Sequence, residues 1–277
     1  MTIKVYQSFV FLLLNTFVLR AQMIDEKIKN NLFAPPQTFL FTTTTLNPLV
    51  RQWSLNYSGG YGQNTVAPVG FNGIDQNITL FGYLGNSTTL LTSVGVGFAN
   101  SGHWQTTQQA EILRDFIGGN NPTGFRLGTS LGLRREFGND IIALSRLTAT
   151  YEGLGWKIGA NARFEKAFSA SRDELDVITS FGIQRRINKQ LFAGVEAVGQ
   201  DLEGLWQTDE AEGGARILIG PSLNFVPSGS PLSFSVCGGP ILQITRSAII
   251  ANDSVVRDLP LTNSGFTMKF NVGFRFL

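Results

Sequence analysis

The chain is short of the residues from which most catalytic and metal-binding sites are built. It holds one cysteine, Cys237, and one histidine, His103, in 277 residues. An intrachain disulfide, a cysteine-based metal site and a histidine cluster are thereby excluded. Charge is scarce too: Asp, Glu, Lys and Arg make up 15% of the chain, against roughly 25% in an ordinary soluble domain. No run reaches the roughly 18–20 apolar residues that a membrane-spanning helix needs, and the nearest is a shorter one at the very start. What is plentiful is Gly, at 31, and Phe, at 22. That mixture suits a β-protein with an apolar outer surface, and it also fits a secreted, Gly-rich soluble β-sandwich.

Residues 1–21 read as a secretory signal. Lys4 gives a positive start, residues 9–14 form an apolar core within 5–19, and Arg20-Ala21-Gln22 offers cleavage after Ala21. Leu19 is not the small residue expected near such a junction, and Asn15-Thr16 interrupts the apolar run. A buried N-terminal strand or helix is the alternative. Cleavage removes Lys4 and Arg20 and no acid, so the mature chain is formally neutral and offers nothing toward nucleic-acid binding. Residues 22–50 differ in character from the remainder of the chain: a charged cluster (Asp25, Glu26, Lys27, Lys29), then Pro35-Pro36, then the run Thr42 to Thr45. They are expected to form a loosely ordered periplasmic arm, with a short strand at 39–43, ahead of one domain over 51–277.

From Trp53 onward the chain alternates apolar and polar residues with period 2, punctuated by Gly, Asn, Asp, Ser and Pro. At the C-terminus Phe266, Met268, Phe270, Val272, Phe274 and Phe276 share one face, while Thr267, Lys269, Asn271, Gly273 and Arg275 share the other. In 156–168 Trp156, Ile158, Ala160, Ala162, Phe164 and Phe168 oppose Lys157, Asn161, Arg163 and Glu165. The same pattern occupies 53–61, 125–134 and 215–225, and strands are also expected at 77–84, 90–99, 141–151, 176–186, 191–200 and 232–242. Most are ten residues or longer, close to the roughly 9–11 that a tilted strand needs to cross a bilayer and beyond the usual globular five or six. Bacterial barrels have an even strand count. The eleven therefore want a twelfth, placed at 105–116, where a short helix competes and ten strands is the alternative. Counting back from the end gives short turns at 187–190 and 227–231 on the periplasmic side and long outer loops at 201–214 and 245–264.

The final run FTMKFNVGFRFL resembles the terminal strand by which outer-membrane barrels are recognised for insertion, with Leu277 after the customary aromatic, here Phe276. The Ala21-Gln22 junction is similar to signal cleavage sites of Bacteroidetes envelope proteins. With the alternating strands, the resemblance covers nearly all of 53–277. It is to a broad class of small bacterial outer-membrane β-barrels that includes transporters of unassigned substrate. The resemblance implies a transmembrane barrel in the bacterial outer membrane, with membrane lipid, lipopolysaccharide and the barrel-insertion machinery as partners. It reaches no family with a known ligand, so no functional residue carries over.

Charges on a lipid-facing surface near mid-membrane cost roughly 2–4 kcal/mol each, so mid-strand charges are expected to point into the lumen. Alternation assigns Arg126, Arg134, Arg146, Lys157, Arg163, Arg186, Arg216, Lys269 and Arg275 to that face, with Glu136, Glu165 and Glu196 the assigned acids. Such a wall suits passage or binding of a small, anionic solute, because a low-dielectric tube concentrates the field of its charges. The competing reading is a closed barrel filled by Arg–carboxylate networks, which serves as an anchor for its outer loops.

Other constellations have bland explanations. The acids of 201–214 around Trp206 match no known calcium loop and read as a solvated surface. His103 near Ser101 and Trp104 lacks an orienting group and oxyanion donors, so no catalysis is expected. Gly59-Gly60-Tyr61-Gly62 and Gly95-Val96-Gly97 precede no helix, which rules out a dinucleotide fingerprint. Gly220-Pro221 and Gly239-Pro240 imply bulges or strand ends. Trp53, Tyr57, Trp156, Trp206 and Phe276 are candidates for aromatic girdles. No cofactor or metal is implied.

Overall fold

The computed structural model describes residues 39–46, 53–65, 69–99, 102–118, 123–137, 139–153, 155–168, 176–200, 202, 215–244 and 264–276. The expected signal, the acidic cluster of 201–214 with Trp206, and most of the outer loop 245–264 lie outside these residues.

Twelve strands run β1 Trp53–Gln63, β2 Gly73–Gly85, β3 Thr88–Ala99, β4 Trp104–Ile117, β5 Gly124–Arg135, β6 Ile141–Glu152, β7 Trp156–Ala167, β8 Asp176–Arg186, β9 Leu191–Gln200, β10 Arg216–Phe225, β11 Leu232–Gln243 and β12 Gly265–Phe276. Each pairs antiparallel with its chain neighbours, and β1 closes on β12 from Trp53↔Phe276 to Gln63↔Phe266. Closure leaves no strand edge. It also excludes the two-sheet sandwich and the ten-strand alternative. The ambiguous stretch 105–116 is strand β4.

Connections at the end holding both termini are short, none longer than 118–123 or 226–231, while the opposite end carries the long ones. The tightest joins β2 to β3 through Asn86 and Ser87, both at positive φ (46° and 58°). Two such residues make the mirror-image turn whose twist matches a hairpin.

Alternation sorts the two faces. Val94, Ile112, Phe125, Leu131, Leu147 and Phe270 stand exposed on the outside, Leu131 by 71%. The charged side chains on that face, Arg114, Arg135, Lys166 and Arg185, all fall within the last four residues of their strands. An uncovered apolar band bounded by charge at its rims is the surface a bilayer requires and one that water does not tolerate.

The prolines behave differently from expectation. β10 and β11 keep one register, Leu218↔Ile241 and Ser222↔Cys237, but the ladder between these pairs is interrupted. Pro221 and Pro240 fall in that gap and are instead paired on their other sides, with Val195 and Phe266. The gap replaces a bulge because proline removes a donor without requiring an extra residue. Bulge-like shifts occur elsewhere, at Tyr83/Gly85 and Asp115/Ile117.

Candidate functional site

The lumen is the candidate site, and the largest departure from expectation lies inside it. The segment 39–46, expected as part of a periplasmic arm with a strand at 39–43, joins no ladder and crosses the barrel interior. Phe39, Thr42, Thr43, Thr44, Thr45 and Leu46 are buried. Phe39 packs where Gly159 and Gly182 leave room, a Cβ built on Gly182 falling 2.6 Å from its ring. The Glu196 carboxylate accepts the N–H groups of Leu40 (3.1 Å) and Phe41 (2.7 Å). Asn161 accepts the Thr43 N–H at 2.7 Å and donates to its carbonyl at 2.8 Å. On the opposite wall the Thr45 hydroxyl donates to Asp115 (2.5 Å) and the Leu46 N–H to Thr89 (3.0 Å). Leu46 then seals against Phe81, Leu91 and Leu113. A buried main chain must find partners, and here wall side chains supply them.

The candidate charges fall into three groups. The first is a network across β4–β7. Arg146 and Arg163 stand directly opposite one another, an arrangement that repels on its own. Glu111 takes Arg146 at 3.0 Å, and Glu165 pairs with Arg163. Glu165 also takes Arg134 at 2.8 Å, and Arg134 pairs with Glu136. Ser130 and Gln109 donate to Glu111 as well. The second group lies toward the end holding the termini, where Glu152 joins Arg126 (3.1 Å) and Lys157 (2.9 Å). Lys157 and Arg186 both lie over the buried Phe192 ring, at 5.5 and 5.1 Å, and Arg275 donates to the Ser230 carbonyl at 3.1 Å. The third is scattered: Arg216 is buried near the opposite end, Glu196 holds the inner segment, and Lys269 lies 5.1 Å over the Phe41 ring.

Alternation missed several acids. Asp75, Glu111 and Asp115 are buried inside and Glu152 bridges two cations, so the lumen is less cationic than the sequence implied. Glu111 and Asp115 sit on β4, whose outer face carries Thr106, Gln108 and Arg114, so no clean apolar face marks its orientation. Nor does any sequence pattern signal that part of the interior is apolar. Ile178, Val198, Leu218 and Ile241 point inward on β8–β11, where Val69 from the β1–β2 connection and Phe41 from the inner segment pack onto them.

Between the segment and the wall a cavity of about 220 Å³ remains. Neutral hydrogen-bonding groups dominate its lining, including Asn56, Asn77, Asn161 and Asn271, and Arg146, Arg163 and Lys269 face it. Among the described residues no carboxylate pairs with Lys269. His103 is exposed and its carbonyl closes a turn with Ala99 (2.8 Å); Ser101 lies outside the described residues. No cluster of potential metal ligands occurs among the described residues. Trp53, Trp156 and Phe276 lie on the outer face at strand ends, as a girdle requires, and Trp53 covers Gly82, whereas Tyr57 stands on the outer face near the middle of β1.

No family model and no curated protein matches the chain in sequence. Solved structures do match in fold. The KdgM porin superposes with a TM-score of 0.54 at 10% identity, covering 81% of this chain and 99% of the porin. The NanC porin gives 0.53 at 9% identity, covering 80% and 100%. An outer-membrane channel from Pseudomonas putida F1 gives 0.52 at 10% identity, covering 85% and 98%. The fold is that of outer-membrane porins. Likeness at this identity concerns the architecture, and the chemistry of the lumen rests on its own residues.

Proposed function

We propose that this chain is a bacterial outer-membrane barrel whose lumen binds or passes a small polar solute. It would be exported by a cleaved signal and inserted through recognition of its C-terminal strand, with lipid and lipopolysaccharide around its outer band. The observation that carries the reading is the polar cavity enclosed within a closed, lipid-facing barrel. The fold likeness supports it, since the neighbours are porins and channels, one of them a KdgM porin in complex with disordered oligogalacturonate. An anionic solute is the finer form of the proposal. Arg146 and Arg163 are neutralised by Glu111 and Glu165, so Lys269 would carry most of that preference. Among the described residues, no arrangement in the lumen points to catalysis.

A twelve-strand barrel is wider than the roughly eight-stranded one that side chains just fill and narrower than a porin of roughly 16–18 strands. Here the inner segment occupies much of the difference. That occupation favours a second reading, in which the barrel anchors its long loops for a partner without transport.

Single-channel recording of the folded protein in planar bilayers separates the two. The proposal expects discrete conductance events, and in a salt gradient a reversal potential of anion-selective sign that Lys269→Glu reverses or abolishes. Silent, well-folded protein would leave the anchoring role. Cation selectivity in the wild-type chain would overturn the anionic form of the proposal.

A further inference from the structure

The barrel wall does not require residues 39–46. The ladder closes without them, β1 pairing with β12 along its whole length. What holds the segment is a set of side chains projecting from β3, β4, β7 and β9, and those side chains read main chain. Glu196 takes two consecutive N–H groups. Asn161 takes both the N–H and the C=O of Thr43, and Thr89 takes the N–H of Leu46. Among the described residues, only the hydrogen bond from Thr45 to Asp115 involves a side chain of the segment. Recognition of this kind selects a backbone path, here bent at residues 40–42 so that two consecutive N–H groups converge on one carboxylate, and leaves side-chain identity to pockets. Such pockets are present in the space over Gly159 and Gly182 that Phe39 fills and in the Phe81, Leu91 and Leu113 cluster that receives Leu46.

Glu196 gives the site a reason to stay occupied. It is fully buried, and among the described residues no cation pairs with it. Its donors are the two segment amides, the Ser222 hydroxyl (2.7 Å) and the Cys237 thiol. A buried carboxylate deprived of donors is costly, so departure of the segment leaves an acceptor that calls for two adjacent N–H groups in the same place. Asn161, with one acceptor and one donor in plane, calls for the next peptide unit but one.

We infer that the lumen carries a binding site for a polypeptide backbone bent as residues 40–42 are, centred on Glu196 and Asn161, which residues 39–46 fill in cis and a second peptide of that sequence fills when they withdraw. The inference rests on the solute-lumen reading only for its electrical readout.

The test uses the full chain carrying Phe41→Pro and Thr43→Pro, which removes two donors from the segment and leaves every wall residue intact. A fluorescent peptide with the sequence of residues 39–46 is titrated against detergent-folded protein and followed by anisotropy. The substituted chain is expected to bind it about tenfold or more tightly than the wild-type chain, whose site is filled, since a charge-assisted bond has been lost in cis. The same peptide with proline at the positions of Phe41 and Thr43 should bind about tenfold or more weakly, and Glu196→Ala combined with Asn161→Ala in the substituted chain should remove the difference between the two peptides. Equal binding to both chains, or equal binding of both peptides, overturns the inference. Should the double substitution prevent folding, Thr43→Pro alone serves with the matching single-proline peptide and Asn161→Ala as the wall variant that removes the difference. Where bilayers show conductance, the peptide should block the substituted chain. Peptide binding without any conductance would count against the solute reading and leave this site standing.

Discussion

Asn161 and Thr43, separated by 118 positions in sequence, meet as paired amides inside the barrel, N–H to Oδ1 at 2.7 Å and Nδ2 to carbonyl at 2.8 Å. The pairing ties a segment outside the sheet to the middle of β7. Asn161→Ala removes both bonds and leaves a buried peptide unit unsatisfied. The expected cost is about 2 kcal/mol, confined to the segment. Hydrogen exchange should accelerate about thirtyfold in peptides covering 39–46 while the strands keep their protection. Unchanged exchange there would show that the pairing contributes nothing to holding the segment.

Gly182 makes a second test of the same segment. A methyl group at Gly182 meets the Phe39 ring at 2.6 Å, whereas one at Gly155 meets nothing within 4 Å. Gly182→Ala should displace Phe39 and raise exchange in 39–46, and Gly155→Ala should be silent. Equal behaviour of the two variants would place Phe39 elsewhere.

The pair Arg146–Glu111 lies at 3.0 Å with both side chains buried. Glu111→Ala strands a buried guanidinium beside Arg163, and the loss should be about 3–5 kcal/mol in urea unfolding of detergent-folded protein. Replacing both partners with Leu and Met should cost far less, because no charge is left alone. A double variant as unstable as the single one would refute the pairing as the source of the loss.

Outside the barrel, Leu131 sits in the middle of β5 and is 71% exposed. Leu131→Arg should weaken folding into lipid vesicles by about 2–4 kcal/mol. A protein whose outer face met water would tolerate the change within about 0.5 kcal/mol, so the measurement tests the membrane assignment directly.

Most of the wall is legible in the order of residues alone. Strand β8 at 176–186 and β9 at 191–200 follow from period-2 patterning, and β12 announces itself through six apolar residues on one face. Legibility fails where that contrast fails. In β4 polar residues occupy both faces, so the strand is ambiguous and Glu111 and Asp115 go unassigned. In β10, Leu218 sits on the otherwise polar inward face, and only the cluster with Val69, Val198 and Ile241 explains it. The prolines of β10 and β11 signal a disturbed ladder, while register continuity decides that the disturbance is a gap.

The sequence by itself determined the barrel, because a strand between lipid and lumen must alternate and a mid-strand charge must turn inward. Alternation therefore reports directly on the wall. What occupies the lumen was decided only by the tertiary structure. Apart from the Thr45–Asp115 bond, the described hydrogen bonds that hold residues 39–46 are made to main-chain groups, which are the same in every sequence, and the residues that make them lie on strands far along the chain. A run of threonines and one glutamate in β9 show no periodicity that links them. Only closure of the barrel brings Glu196 and Phe41 to 2.7 Å.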